Sequence, residues 1–348
     1  GGVNGDVDAS DTDQFDNPVI VHEYGHFLED NVFATSSPGG SHNGDRIIDP
    51  RLAWSEGWAD FFQAAVLGDA HYRDTYGNAD GITGFAYDAD LETPHTGNDY
   101  PQEAGEGNYR EFSVARFLWD TLDDSPAETR FGFSDNVHDR FIEVWAALDR
   151  KAHGFRDSNY GFLNVGLLHE SQTYALMNDN LHNGTDFTQV RGLERQLANT
   201  STYGQYVETG TCDSYDLTPA QTPYDDGSFE MSDLFRNNRF YYLKVIAPLS
   251  GVLELDYQDA DGVGEEADLD LFLYNESAHF GDREDFIGTS LRSPDRNPAT
   301  PEREAIALNQ LAPGKYLINV HVHTSDGLGG PVHYQLKLNG GTLCPAQL

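Results

Sequence analysis

The chain has 348 residues, enough for two domains that each bury a core, and its 58 acidic against 21 basic side chains leave a net charge of −37. The acidic residues are spread along the chain as a solvated shell, which repels nucleic acid and anionic membranes and attracts divalent cations. No apolar run reaches membrane-spanning length, and Gly1 to Asn17 is polar and acid-rich, so neither membrane insertion nor a signal peptide is expected in this stretch. A mature secreted protein has shed its leader, and the expected location is secreted, extracellular.

Residues 1–15 read as a Gly/Asp-rich coil, with Asp6, Asp8, Asp11 and Asp13 as a disordered end or a calcium-ligand segment. Asp16-Asn17-Pro18 pairs a capping residue with an early proline and predicts a helix to about Asp30. It carries His22-Glu23-Tyr24-Gly25-His26. Residues four apart share a helix face, so His22 and His26 can offer two imidazoles to one ion with Glu23 beside them. After a loop over 31–48, Asp49-Pro50 repeats the signal for a second helix that stops at Gly68. A catalytic zinc takes three protein ligands and leaves one position open; Glu56, on that second helix, is the expected third. Asp60, one turn on, is placed to orient a zinc histidine through its free ring nitrogen.

From 69 to 108 the Gly/Asn/Asp clusters predict an irregular segment that lines a cleft or holds calcium. Helical periodicity returns over Arg110 to Leu122, Val137 to Ala152 and Phe162 to Leu181, which makes the first half mostly α. Beyond about Thr200 the texture changes. Short β-branched and aromatic runs at Phe240 to Ile246, Val252 to Tyr257, Leu269 to Tyr274, Ala305 to Leu308, Lys315 to His323 and Val332 to Leu338 alternate with turn residues, the pattern of an all-β sandwich. The domains are therefore expected at 1–205 and 231–348, with 206–230 as a linker. Cys212 and Cys344, the two cysteines present, are expected to bridge in an exported protein rather than remain free thiols.

The pair His22-Glu23-Tyr24-Gly25-His26 and Ser55-Glu56-Gly57-Trp58-Ala59-Asp60-Phe61-Phe62 resembles the gluzincin metallopeptidases, in wording similar to the fungalysin family and to the bacterial collagenases. The resemblance covers about residues 16–68. It implies a zincin-like catalytic fold, zinc on His22, His26 and Glu56, and Glu23 as general base. Asp268 to Tyr274, Leu311 to Tyr316 and Tyr334 to Leu338 resemble the bacterial pre-peptidase C-terminal domain, a jelly-roll-like sandwich appended to secreted proteases. Some of its members bind calcium near acidic loops such as Asp256 to Asp270.

These readings point to a secreted zinc endopeptidase acting on proteins or peptides, with zinc as cofactor and calcium as an option. Fungalysin-like enzymes stabilise the oxyanion with a histidine, often with a tyrosine. Aligning the helix Ser113 to Asp120 puts that position near Asn108, where no histidine stands, leaving Tyr109 and Arg110 as candidate donors, with His95 and His169 as further options. Zincins also place a β-sheet ahead of the active-site helix. Only 21 residues precede His22, so an upstream propeptide or N-terminal domain is an expected partner. The alternative is an extracellular binding or adhesion protein with a structural zinc. Against it stands Glu23, because a purely structural site has no use for a general base.

Overall fold

Capping chemistry starts and stops the second helix of the chain. The computed structural model describes residues 16–32, 37–40, 42, 48–76, 85–93, 107, 109–123, 129–130, 132–134, 137–148, 184–194, 196, 205–217, 238–259, 268–275, 278, 286–293, 301–324 and 331–346. These fall in two units, Gly1–Ala198 and Asn199–Leu348.

In the first unit α1 runs Asn17–Val32 and α2 runs Pro50–Leu67. Asp49 caps α2 by accepting from the Arg51 amide at 2.9 Å, and Gly68, at φ 65°, closes it in the left-handed conformation that suits glycine. Every residue of α2 from Pro50 to Ala64 is buried. A helix enclosed on all sides is the centre of its domain. Trp58 Nε1 donates to the Gly25 carbonyl of α1 at 3.0 Å, and a Cβ on Gly25 would already touch Ala59 and Phe62. On another side α3, Glu111–Trp119, lies so close that a Cβ on Gly57 would come within 2.5 Å of the Glu111 carbonyl oxygen and of Val114 Cβ. Phe141 and Trp145 of α4, Phe141–Leu148, pack against Trp58, Phe61 and Phe62. The last helix, α5 at Gly184–Leu193, ends at Glu194, whose buried carboxylate takes Arg116 at 3.0 and 2.9 Å and Ser113 at 2.8 Å.

The segment predicted to be irregular holds an antiparallel hairpin, β1 (His71–Tyr76) with β2 (Phe85–Asp90). His71-Tyr72-Arg73-Asp74-Thr75-Tyr76 has no apolar run to announce a strand; tertiary contacts hold it. Gln63 of α2 pairs with both backbone groups of Arg73, at 2.9 and 3.2 Å, and Tyr72 packs on Phe112. A two-residue pair, β3 (Thr129–Arg130) and β4 (Phe133–Ser134), was also not anticipated, so this half is α with added strands rather than mostly α alone. The helix predicted over 162–181 and the acidic coil 1–15 lie outside the described residues.

Among its described residues the second unit is all β. Its strands are β5 (Gln205–Thr209), β6 (Tyr215–Leu217), β7 (Asn238–Val245), β8 (Leu249–Asp259), β9 (Asp268–Asn275), β10 (Phe286–Ser290), β11 (Glu302–Leu311), β12 (Gly314–Thr324), β13 (Val332–Leu338) and β14 (Gly341–Pro345). They run in the order β10-β9-β12-β7-β5-β14-β13-β8-β11, with β6 beside β13; among the described residues only β5 and β7 pair in parallel. The two ends of this path approach each other, since Ala305 N donates to Ser290 Oγ at 3.1 Å, and the sheet folds over one core in the manner of a β-sandwich. Leu253, Leu255, Leu271, Leu273, Ile318 and Leu336 fill that core. Strand outweighs helix among the described residues of the chain.

Two boundaries differ from expectation. The unit border falls after Ala198, and β5 and β6 occupy the stretch 206–217 that was read as linker. Tyr206 and Val207 are buried there, β5 pairs with β14, and Cys212 is bonded to Cys344 across 132 residues. Neither strand is long enough to show alternation. Among the described residues, no helix is long and apolar enough to cross a membrane.

Replacing Cys212 and Cys344 by serine is expected to remove up to about 5 kcal/mol by the loop-entropy relation, read as a lower urea midpoint of the second unit. Gly57→Ala should cost about 2 to 3 kcal/mol in the first unit, because the new methyl meets backbone and a β-branched neighbour that cannot turn away. A thermal melt of the two proteins side by side checks it.

Candidate metal centre

Helices α1 and α2 bring three of the predicted residues to one point. His22 Nε2 and His26 Nε2 lie 3.2 Å apart, and Glu56 Oε2 is 3.4 Å from the first and 3.1 Å from the second. Three donors on a tetrahedral zinc, each about 2.0 to 2.1 Å from the ion, would stand roughly 3.3 Å apart. The observed triangle fits that edge length. Among the described residues, His22, His26 and Glu56 form the one group of three His, Cys, Asp or Glu side chains with ligand atoms within 4.8 Å of one another. Two neutral imidazoles and a carboxylate are a borderline donor set that suits zinc.

The surroundings call for a cation. Glu29, Glu56, Asp60 and Glu111 are all buried, and among the described residues their charged partners are His22, His26 and His42 rather than any lysine or arginine. Burial works against a charged histidine, but the Asp60 and Glu56 carboxylates outweigh it at His22, pushing its pKa up to about 9. At His26 burial is outweighed by Glu29 and Glu56, with a pKa pushed up to about 10. Burial alone would raise Glu56, yet the bonds from His22 and His26 hold it well below the usual carboxylate range. The carboxylates around the two rings favour their protonated forms over the neutral ones. A divalent ion bound by the rings would compete with protons there, which is the ordinary linkage between metal binding and proton release.

Asp60 lies on α2 beside the His22 ring. Its Oδ1 is 2.9 Å from His22 Nδ1, close in distance though out of line with the ring's N–H direction. Tyr72 of the hairpin closes edge-on against the same ring. His26 has a support that the sequence reading missed: Ser55 Oγ lies 3.4 Å from its Nδ1 and donates to Glu29 Oε2 at 2.7 Å, while Glu29 Oε2 is itself 3.8 Å from that nitrogen. The signal was present, because Glu29 follows His26 by three residues on α1 and Ser55 precedes Glu56. Glu23 faces solvent from the same helix.

Tyr109 and Arg110 do not meet the requirement for an oxyanion donor. Both are enclosed, at 0% and 1% exposure, just ahead of α3, and the Tyr109 carbonyl accepts from the Ile48 amide at 2.9 Å. A group that stabilises charge on a bound substrate has to touch it. His95 and His169 lie outside the described residues. His138 is exposed and bonded through Nδ1 to the Asp123 carbonyl. The histidine that does reach the centre is His42, absent from the sequence-based candidates: its Nε2 is 3.3 Å from Glu56 Oε2 and its Nδ1 is 2.9 Å from Glu111 Oε2. It sits in the Gly/Ser loop between the helices, with no periodicity or motif to mark it. For calcium, Asp256 is engaged by Arg303 and Lys337, and the greater part of the acidic loop after it lies outside the described residues.

Residues 2–161 match the family model described as the Mycolysin C-terminal domain. That stretch includes His22, Glu23, His26, Glu56 and Asp60. An uncharacterized protein of Archaeoglobus fulgidus is 26% identical over 184 residues, 51% of this chain and 45% of that protein, so the match spans under half the length of this curated relative. Among solved structures, the pre-peptidase C-terminal domain of a collagenase from Bacillus anthracis is similar at 17% identity, covering 29% of this chain and 78% of that one, with a TM-score of 0.19. So low a score carries no argument about fold. The family match associates the chain with peptidases, under the name of mycolysin where the helix motifs resembled fungalysin and the collagenases.

Asp60→Asn and Glu29→Gln should each weaken zinc binding by about 10- to 100-fold, measured by competition with a chromophoric chelator, while Glu143→Gln on the outer face of α4 leaves it unchanged.

Proposed function

We propose that the chain acts as a secreted, zinc-dependent endopeptidase of the gluzincin type on extended polypeptide. The observation that carries the reading is the triangle of His22 Nε2, His26 Nε2 and Glu56 Oε2, with edges of 3.1 to 3.4 Å, beside a solvent-facing carboxylate at Glu23. Support also comes from the peptidase-associated family match over the same residues and from the Cys212–Cys344 bridge, which belongs to an oxidising compartment.

When bound, zinc supplies Lewis acidity and lowers the pKa of a coordinated water toward neutrality. The chain's own residues do the rest. His22, His26 and Glu56 hold the ion, the Ser55–Glu29 pair backs the His26 ring, and the Asp60 carboxylate lies 2.9 Å from His22 Nδ1 as a neighbouring negative charge. Glu23 takes a proton from the attacking water and passes it to the departing amine. Its place on α1 is fixed by the helix that carries both histidines, while its exposure leaves it open to solvent and substrate. The β unit serves, in this reading, to hold an insoluble substrate near the catalytic unit and raise its effective concentration.

The test is metal content and cleavage of an unstructured protein, native chain against Glu23→Gln. Near one zinc per chain in both proteins is expected, with cleavage in the variant lower by about 100- to 10,000-fold. A native chain that takes up no zinc, or a Glu23→Gln protein that cleaves as fast as the native one, would sink the proposal. Zinc in both and cleavage in neither would favour the adhesion reading with a structural ion.

A further inference from the structure

We propose that Asn275, in the β unit, is a site of asparagine-linked glycosylation, modified as the chain is exported. This goes beyond the peptidase reading and shares one premise with it, export, which the Cys212–Cys344 bridge supports independently of the metal centre.

The sequence holds three Asn-x-Ser/Thr triplets without a central proline: Asn183-Gly184-Thr185, Asn199-Thr200-Ser201 and Asn275-Glu276-Ser277. A pattern this short arises by chance in a chain of this length, and the triplet alone decides nothing. Its place in the fold does. Asn183 and Asn199 lie outside the described residues, whereas Asn275 meets three conditions that the chemistry sets.

First, the acceptor amide has to be open to a transferase. Asn275 is exposed, although Leu271, Leu273 and Tyr274 before it are buried. Asn238 and Asn319, by contrast, are each 1% exposed and bonded to one another through their side chains. Second, the acceptor must stand where the chain leaves the ladder. Asn275 is the last residue of β9, and its carbonyl accepts from the Ala278 amide at 3.0 Å, the closing bond of a four-residue turn. Third, the modification must leave the fold intact. Tyr274 is held by β12 at Leu317 and by β10 at Phe286, and the core that Leu271 and Leu273 help to fill ends before Asn275.

An asparagine that opens a turn is ordinary by itself. A turn has no need of a hydroxyl two residues later, and Ser277 supplies one. In the transfer, Asn275 Nδ2 bonds to the anomeric carbon of an oligosaccharide carried on a lipid phosphate. The bond from that carbon to the phosphate oxygen breaks, the lipid phosphate leaves with the electron pair, and one amide proton passes to the transferase. The glycan would stand beside the end of the sheet: Tyr274 pairs with Phe286 of β10, and the next residue of that end strand, Ile287, is 39% exposed. A bulky, solubilising group there discourages other chains from pairing with the strand.

The test uses the full chain recovered from the culture medium of its source organism. Cleavage after Lys244 and Arg283 yields the peptide 245–283, which carries Asn275. Its mass is measured for the native chain, Asn275→Gln, Ser277→Ala and Ser277→Thr. We expect added sugar mass in the native chain and in Ser277→Thr, and a bare peptide in Asn275→Gln and in Ser277→Ala, which keeps the turn asparagine. Sugar that persists in Asn275→Gln or Ser277→Ala overturns the assignment, as does a bare native peptide. Where the chain is found separates the two ways a bare peptide can arise. In the medium, it leaves export standing and removes the glycosylation site alone; retained in the cell, it removes the export premise and the site with it.

Discussion

The close approach of α2 to its two neighbours is the constraint on which the first unit depends. Two glycines make it: Gly25 lets Ala59 and Phe62 touch α1, and Gly57 lets the backbone of Glu111 and the side chain of Val114 come within a methyl's width of α2. Both lie within one turn of a proposed ligand. The spacing that packs the helices is thus the spacing that brings Glu56 within 3.4 Å of both imidazoles, and on the other side puts Glu111 where it reaches His42. Trp58, donating to the Gly25 carbonyl, locks the register in which this holds.

That packing has an electrostatic cost. Glu29, Glu56, Asp60 and Glu111 are buried within one small volume, and burying carboxylates without compensating charge is strongly unfavourable. Elsewhere in the same unit the fold uses arginine for this: Arg51 on Asp49 and Arg116 on Glu194, both fully enclosed and bidentate. Here it uses histidines, which can surrender a proton where an arginine cannot. In the proposed reading, a titratable partner is what would let a metal ion take the place of the protons.

The second unit solves a different problem by itself. Its long sheet turns over one core and would leave short N-terminal strands exposed to fraying; the Cys212–Cys344 bridge ties β14 to the chain just after β5, where both strands are short. Tyr241 and Tyr334, buried and bonded hydroxyl to hydroxyl from β7 and β13, join the two faces at the centre, with Tyr215 stacked beside them.

Much of this was legible in the residues alone, for reasons that are local. Helices α1 and α2 announce themselves by capping residues, prolines and Gly68; the four-residue spacing of His22 and His26 and the Glu56-to-Asp60 step place their groups on helix faces without knowledge of the fold. The main strands of the β half show as alternating apolar runs. What depended on tertiary structure has no local signal. The β1–β2 hairpin is polar and held by Gln63 and Tyr72; β5 and β6 are too short to show a period and are fixed by β14 and the disulfide. Tyr109 and Arg110 looked available by their donor chemistry, and burial withdrew them. His42 lies in a loop where sequence distance from Glu111 is 69 residues, and only the packing of α3 on α2 made them neighbours. Periodicity and spacing report what one element does to itself; which elements meet, and which side chains remain open when they do, is decided by the packing.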